Sequence, residues 1–198
     1  LLLLLLVVWG YVPAQVGRDC TAGRHAAWIS VDWTSQPVNP IAVRRLSDES
    51  RRYQLQYLYP YTTYLQEDGT FNDTYEHATE FVQEFRKVNQ ETQLLAWVGI
   101  PLHPSRGMGI QGWVELSDVE QRAEIVAFVV DLVETHGFDG VHLNVETVWN
   151  EDPDFLRLLD EVNAALPNDL LLSVAGSHWS PTLLEPLDLR WSDTYYRE

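Results

Sequence analysis

Cysteine and lysine are almost absent from this 198-residue chain. The single cysteine, Cys20, cannot form an intrachain disulfide, so cysteine pairing gives no indication of the redox compartment. Lys87 is the only lysine, and 29 acidic residues outnumber 13 basic ones, which gives a formal net charge of −16. Such a chain would be repelled by a nucleic-acid backbone or an anionic membrane surface. We therefore expect no nucleic-acid partner.

Glycine-rich phosphate-binding loops are missing as well. Gly99, Gly107, Gly109 and Gly112 do not have the spacing of a dinucleotide fingerprint, which argues against a nucleotide-binding sheet and predicts no cofactor. The composition, 45% hydrophobic and 21% charged, is typical of a globular domain with a sizeable core.

Only one long hydrophobic run is present, at residues 1–8. It is too short for a spanning helix, which needs about 20 apolar residues. The stretch Val12-Pro13-Ala14 follows it, and its small or medium-sized side chains are typical of the residues before a signal-peptidase cleavage site. We interpret residues 1–23 as the remainder of a secretory signal and its leader, and expect a secreted or cell-envelope protein without stable membrane insertion. A short membrane anchor is the alternative.

Residues 24–198 alternate β-rich runs with helical periodicity, which predicts an α/β fold of repeated βα units. Two architectures fit, a closed (βα)8 or TIM barrel and an open doubly wound sheet. The missing phosphate fingerprint favours the barrel. Because a barrel needs about 250 residues, we expect its N-terminal part, with about five βα units. The predicted strands are Ala27–Trp33, Leu55–Tyr61, Leu94–Ile100, Val141–Glu146 and Leu170–Ala175.

Capping residues mark the predicted helices. A helix with an apolar stripe from Ala78 to Val88 is expected to be capped by Asp73 with Glu76, and the next by Ser117 with Glu120. Gly137 ends that second helix. Asp152 and Pro153 open the third, which ends before Pro167, and a less regular crossover segment runs from Pro40 to about Tyr53.

The predicted fourth strand has two chemically opposite faces. Val141, Leu143 and Val145 point one way, whereas His142, Asn144 and Glu146 point the other. Helical patterns flank the strand, so both faces are expected to be covered, and an unsatisfied polar group there would cost about 1–3 kcal/mol. Since barrel enzymes carry catalytic groups at the carboxyl ends of strands, Glu146 is the first catalytic candidate.

The spacing Asp139-x-x-His142-x-Asn144-x-Glu146 resembles the fourth-strand signature of chitinase-like family 18 glycosidases, Asp-x-x-Asp-x-Asp-x-Glu. The spacing matches throughout. Asp139 and Glu146 also match in identity, whereas His142 and Asn144 stand where the family usually has Asp. The strand order and the preceding Gly137-Phe138 extend the likeness over roughly residues 25–198.

This resemblance implies a substrate-assisted, retaining glycoside hydrolysis. Glu146 would protonate the leaving glycosidic oxygen while the sugar's own 2-acetamido carbonyl oxygen attacks the anomeric carbon. Asn144 would orient that acetamido group, as in endo-N-acetylglucosaminidases with an Asn-x-Glu pattern, without the negative charge that stabilises the cationic intermediate. His142 replaces the inner Asp that helps to set the pKa of the catalytic pair. Asp139, His142, Asn144 and Glu146 are therefore the candidate catalytic residues.

Other residue types suggest a carbohydrate ligand. Eight Trp and nine Tyr are a heavy aromatic load, and flat rings at strand ends can stack on sugar faces, although core packing is the alternative for each. Asp32, after the first strand, is either a second carboxylate of an acid/base pair or a cap. The candidate substrate-binding residues are Asp32, Trp33, Tyr59, Trp97, Trp149, His178 and Trp179.

The sequence thus predicts a glycoside hydrolase acting on a polysaccharide or an N-acetylhexosamine-containing glycan. A barrel of this kind that binds carbohydrate without turnover is the alternative. A metal-dependent hydrolase is a third class, suggested by His25, His103, His142 and His178, but no tight His spacing supports a metal site. The polar face of the fourth strand could also be purely structural.

Overall fold

In the part of the chain that the structure describes, the sheet contains five parallel strands in the order β1-β2-β3-β4-β5. In this computed structural model the described residues are 25–103, 112–146, 148 and 151–176. The strands are β1 (His25–Ile29), β2 (Leu55–Tyr64), β3 (Gln93–Pro101), β4 (Gly140–Glu146) and β5 (Leu171–Val174). Each strand pairs with the next one along the chain, without the reversal of order that marks a doubly wound sheet. The topology is therefore that of successive units of a (βα)8 barrel, of which the described residues form part.

The predicted strands are all found, and the first one differs most from its predicted bounds. β1 ends at Ile29 instead of Trp33, and Asp32 and Trp33 lie in a short helix, α1 (Asp32–Ser35). Thr34 explains the difference, since its hydroxyl group lies within hydrogen-bond distance of the carbonyl oxygens of Tyr61 and Thr74. These long-range contacts override the local preference for an extended chain.

The crossover helices are α2 (Pro40–Arg52), α3 (Ala78–Val88), α4 (Val119–His136) and α5 (Pro153–Ala165). α2 lies in the less regular crossover segment, and Asn39 caps it by accepting hydrogen bonds from the backbone N–H groups of Ile41 and Ala42. α5 begins as predicted, with Asp152 as its cap and Pro153 in its first turn. α4 ends at Gly137, whose φ of 74° is the left-handed conformation that glycine adopts at low cost.

Two predicted caps are wrong. α4 is capped by Asp118, one residue after Ser117, and the Asp118 side chain accepts hydrogen bonds from the N–H groups of Glu120 and Gln121. α3 begins at Ala78, beyond the predicted Asp73–Glu76 pair, and its N-terminal position is occupied by His77 without a side-chain cap. Both segments had two competing polar residues near the helix start, so local pattern alone did not identify the first turn.

The hydrophobic core lies between the outer face of the sheet and the helices. β4 contributes Val141, Leu143 and Val145, which are buried. The helices contribute buried residues on their sheet-facing sides, namely Phe81, Val82 and Phe85 in α3, Ile125, Val129 and Val133 in α4, and Phe155, Leu158 and Val162 in α5. The opposite, inner face of the sheet is rich in aromatic and polar side chains.

Candidate active site

The polar residues of β4 line the inner face of the sheet and become more exposed toward its carboxyl end. His142 is 2% exposed, Asn144 is partly buried and Glu146 is exposed. They lie in register with Trp97, Gly99 and Pro101 of β3, respectively. Because alternate residues of a strand share a face, these three side chains project to the same side, as predicted.

Glu146 occupies the last position of β4. Its backbone carbonyl oxygen accepts a 2.6 Å hydrogen bond from the N–H of Leu102, which fixes the strand end beside β3. Within the described residues no side chain forms an ion pair with its carboxyl group. An exposed carboxyl group at the carboxyl end of a barrel strand is able to reach a ligand and to exchange a proton with it.

Asn144 lies one pleat below Glu146, beside Gly99. A side chain at Gly99 would be crowded, because an added Cβ would lie 3.1 Å from the Cβ of Tyr64. The glycine therefore keeps the inner surface next to Asn144 free of a side chain. An amide in this position can donate and accept hydrogen bonds.

His142 is buried and forms the centre of a partly exposed hydrogen-bond network. Its Nε2 accepts a 3.1 Å hydrogen bond from the indole N–H of Trp28, and its Nδ1 lies 3.0 Å from Oγ of Ser173. The Ser173 hydroxyl in turn contacts the hydroxyl of Tyr59 at 3.5 Å. The Tyr59 ring stacks on the imidazole at a centroid distance of 4.0 Å and an interplanar angle of 1°.

Burial determines the charge state of His142. Desolvation lowers the pKa of its imidazole to about 4, because the charged form loses its hydration and gains no anionic partner. The ring is therefore neutral at neutral pH, which agrees with its role as hydrogen-bond acceptor for Trp28.

Aromatic rings form a continuous wall beside this network. Trp28 lies 6.3 Å from both Tyr59 and Trp97, measured between ring centroids. Tyr61 makes an edge-to-face contact with Trp97 at 4.9 Å. Trp28 is 62% exposed, although Trp is normally well buried. Its open ring face can stack against a flat apolar ligand surface.

Asp139 lies at the other end of β4. Its carboxylate forms an ion pair with Arg86 of α3 and accepts a 2.6 Å hydrogen bond from the N–H of Leu94 in β3. Asp139 and Glu146 are seven positions apart along extended chain, a span of about 23 Å. Asp139 therefore lies far from Glu146 along β4, and its place among the candidate catalytic residues stays a prediction.

Asp32 and Trp33 are positioned by α1 rather than by the end of a strand. Asp32 accepts a 2.9 Å hydrogen bond from the Ser30 hydroxyl. Trp33 packs on Phe81 at 5.5 Å and so belongs partly to the core. Both residues border a cleft of about 300 Å3 between the end of β1 and the start of α2. They do not contact the network around His142.

Three predicted binding residues, Trp149, His178 and Trp179, lie outside the described residues. So does the predicted signal segment, residues 1–23. Within the described part of the chain, no three His, Cys, Asp or Glu side chains form a group suited to a metal ion. None of the described helices is long and apolar enough to cross a membrane.

Two residues of the network, Trp28 and Ser173, were not predicted from the sequence. Ser173 is a polar residue in an otherwise apolar strand, in register with His142, and that pattern could have identified it. Trp28 is separated from His142 by 114 positions. No local signal connects the two.

No family model matches the chain, and no curated protein matches it either. Solved structures do match, among them a chitinase from Bacteroides thetaiotaomicron (15% identity, TM-score 0.57, 80% of this chain and 49% of that one). Another is a GH18 chitinase mutant from Cycas revoluta in complex with (GlcNAc)4. It has 17% identity and a TM-score of 0.55, and the match covers 86% of this chain and 54% of that one.

A third similar structure is the spore cortex-lytic enzyme SleL of Bacillus cereus, at 17% identity and a TM-score of 0.54. This chain covers 36% of that protein, and about half or less of each of these three similar structures. At such identities the likeness concerns the fold. The described residues adopt a divergent and partial form of the (βα)8-barrel fold of the family 18 glycosidases.

Proposed function

We propose that this protein is a glycoside hydrolase that acts on an N-acetylhexosamine-containing glycan, with Glu146 as general acid. The observation that carries the proposal is the arrangement of β4, in which Asn144 and Glu146 share the open inner face at the carboxyl end of the strand. The carboxyl group of Glu146 is exposed there, on the face of the sheet that carries the aromatic wall at the level of His142. The Cycas revoluta protein, which has a similar fold, binds (GlcNAc)4.

In the proposed reaction Glu146 donates its proton to the glycosidic oxygen, and the bond between that oxygen and the anomeric carbon breaks. The carbonyl oxygen of the substrate's own acetamido group forms the new bond to the anomeric carbon. Water then opens this cyclic intermediate, and Glu146 takes up a proton from that water. The configuration at the anomeric carbon is retained.

Asn144 is proposed to orient the acetamido group. Its side chain is partly buried and faces the space left by Gly99. A neutral amide holds the group by hydrogen bonds but adds no negative charge beside the cationic intermediate, so we expect slower turnover than with a carboxylate in this position.

Hydrolysis of N-acetylglucosamine oligomers by the full-length protein tests the proposal. Glu146→Gln preserves the size of the side chain but removes the exchangeable proton, and should lower kcat at least a hundredfold. Glu134→Gln is the matched control, because Glu134 is exposed on α4 and should leave kcat unchanged. Proton NMR of the first product should show the retained anomer.

Equal activity of the Glu146→Gln and wild-type proteins would refute the proposed general acid. Binding of the oligomers without any turnover by the wild type would instead support the carbohydrate-binding alternative. Activity that a chelator abolishes would favour the metal-dependent alternative.

We further propose that the protein acts outside the producing cell. The support is the apolar run at residues 1–8, followed by a stretch typical of a signal-peptidase site. N-terminal sequencing of the protein recovered from culture medium should find a mature chain that begins after this stretch. Recovery of the protein only from the cytoplasm would contradict export.

A further inference from the structure

The network around His142 contains one more hydrogen-bond donor than it uses. Four groups in it carry a hydrogen: the indole of Trp28, the imidazole of His142 and the hydroxyls of Ser173 and Tyr59. Three contacts join these groups, at 3.1, 3.0 and 3.5 Å. One of the four hydrogens is therefore not donated within the network.

The indole N–H fixes the direction of the first two bonds. An indole nitrogen donates and cannot accept, so Nε2 of His142 must be unprotonated and the proton of the neutral ring lies on Nδ1. That proton is donated to Oγ of Ser173. Burial, which lowers the pKa of the imidazole to about 4, keeps the ring in this neutral form.

The contact between Ser173 and Tyr59 uses one of two hydroxyl hydrogens. If Ser173 donates to Tyr59, the Tyr59 hydrogen remains; if Tyr59 donates, the Ser173 hydrogen remains. In both cases one O–H of this pair has no acceptor within the network. Both residues are partly exposed on the inner face, whereas His142 is 2% exposed and uses both of its nitrogens.

We propose that the Ser173–Tyr59 pair donates a hydrogen bond to an oxygen atom of the bound sugar, and that His142 is a positioning residue that orients this donor. This inference rests on the proposed function and adds to it a binding contact on β2 and β5. The recognised atom is a hydrogen-bond acceptor, such as a hydroxyl or carbonyl oxygen. His142 itself does not touch the sugar, because it is 2% exposed, its ring is stacked on Tyr59, and both of its nitrogens are hydrogen-bonded within the protein.

Calorimetric titration with (GlcNAc)4 tests the donor. All variants carry Glu146→Gln in the full-length chain, so that the tetrasaccharide is not consumed. Tyr59→Phe keeps the ring that stacks on His142 but removes its hydroxyl, and should weaken binding about tenfold. The control is Tyr57→Phe, one pleat away on the same strand, because the hydroxyl of Tyr57 has no hydrogen-bond partner among the described residues. We expect its Kd to stay within about twofold of the parent.

Ser173 tests the positioning role. Ser173→Ala removes both the acceptor for Nδ1 and the neighbour of Tyr59, and should also weaken binding about tenfold. Ser173→Thr restores the hydroxyl and should recover most of the affinity. Nitrogen-15 NMR provides a readout that needs no sugar: His142 should carry its proton on Nδ1 in all three proteins, because Trp28 still donates to Nε2. The Nδ1–H signal should shift in Ser173→Ala, where its acceptor is lost, and return toward the parent position in Ser173→Thr.

The outcomes separate this inference from the proposed function. Hydrolysis that depends on Glu146, together with unchanged affinity in Tyr59→Phe and Ser173→Ala, would overturn the inference alone. A proton on Nε2 of His142 in the parent would also overturn it. Absence of tetrasaccharide binding in every protein, including the parent, would overturn the proposed function and this inference with it.

Discussion

The two faces of β4 differ in the exposure of their side chains, although the residues of the two faces alternate along one strand. On the outer face Val141, Leu143 and Val145 are at most 3% exposed and pack into the helix layer. On the inner face exposure increases from His142 to Glu146. Side-chain direction thus separates two roles in one strand: the outer face contributes to the free energy of folding, and the inner face carries hydrogen-bonding groups that are available to a ligand under the proposed function.

The largest expected effect on folding comes from the outer face. Leu143 is fully buried, and Leu143→Ala should lower the free energy of unfolding by about 3–4 kcal/mol through lost burial and the cavity left behind. Denaturant titration measures this loss. Val119→Ala, at a position that is 65% exposed, is the control and should change the value by less than about 0.5 kcal/mol. Equal effects of the two substitutions would contradict the assignment of the outer face of β4 to the hydrophobic core.

His142 is expected to make stability depend on pH. Its folded-state pKa of about 4 lies below the ordinary value of 6.5, so the unfolded chain binds the proton first as pH falls. The contribution of the neutral ring is complete above pH 6.5, is lost as pH falls toward 4, and amounts to at most about 3 kcal/mol.

Stability curves of the wild type and His142→Gln, measured from pH 7 to pH 4, isolate this contribution. Their difference removes the background of carboxyl groups that titrate in the same range. The advantage of the wild type should shrink as the solution is acidified. A difference that is constant over this range would show that His142 is not the source.

Asp139 lies at the amino end of the same strand, and its substitution should lower the free energy of unfolding by a moderate amount. Asp139→Asn removes the charge that pairs with Arg86 while an oxygen remains for the N–H of Leu94. Because the paired side chains are about one-third exposed, we expect a loss of about 1–2 kcal/mol in denaturant unfolding.

Activity separates this structural role from catalysis. Asp139→Asn should leave kcat on N-acetylglucosamine oligomers within about threefold at temperatures where the variant is folded. A loss of kcat comparable to that of Glu146→Gln would return Asp139 to the catalytic group predicted from the sequence.

Asn144 should show the smallest effect on stability and a gain in rate. Asn144→Asp places a carboxylate beside the developing positive charge, so kcat should increase roughly tenfold. Because Asn144 is only partly buried, the free energy of unfolding should change by less than about 1 kcal/mol at neutral pH. Steady-state kinetics on the same oligomers provide the test, and a lower kcat would contradict an acetamido-orienting role.

Strong local signals explain which parts of the fold were predictable. Gly137 and the Asp152-Pro153 pair end and begin helices through their own backbone preferences, so they were identified from sequence. The alternation of β4 likewise predicted its two faces. α1 was missed because long-range bonds hold it: Thr34 contacts carbonyl oxygens up to 40 positions away.

The residues of the candidate site on β4 were predictable from the sequence, but their partners on other strands were not, because those contacts are long-range. His142, Asn144 and Glu146 share one strand, so period-two alternation placed them on one face. The partners of His142 come from β1, β2 and β5, and no pattern within a window of neighbouring residues links them. Asp139 shows the converse: motif spacing grouped it with Glu146, but the two residues are seven positions apart and lie at opposite ends of β4.

NMR titration of the full-length Glu146→Gln protein with (GlcNAc)4 tests most directly whether the inner face of β4 binds carbohydrate. Side-chain signals distinguish the two faces: the indole N–H groups of Trp28 and Trp97 and the imidazole of His142 report the inner one, and the methyl groups of Val141, Leu143 and Val145 the outer one. We predict saturable shifts of the inner signals, with the outer methyl groups nearly unchanged. Shifts confined to the outer methyl groups, or no shift at saturating tetrasaccharide, would contradict the account.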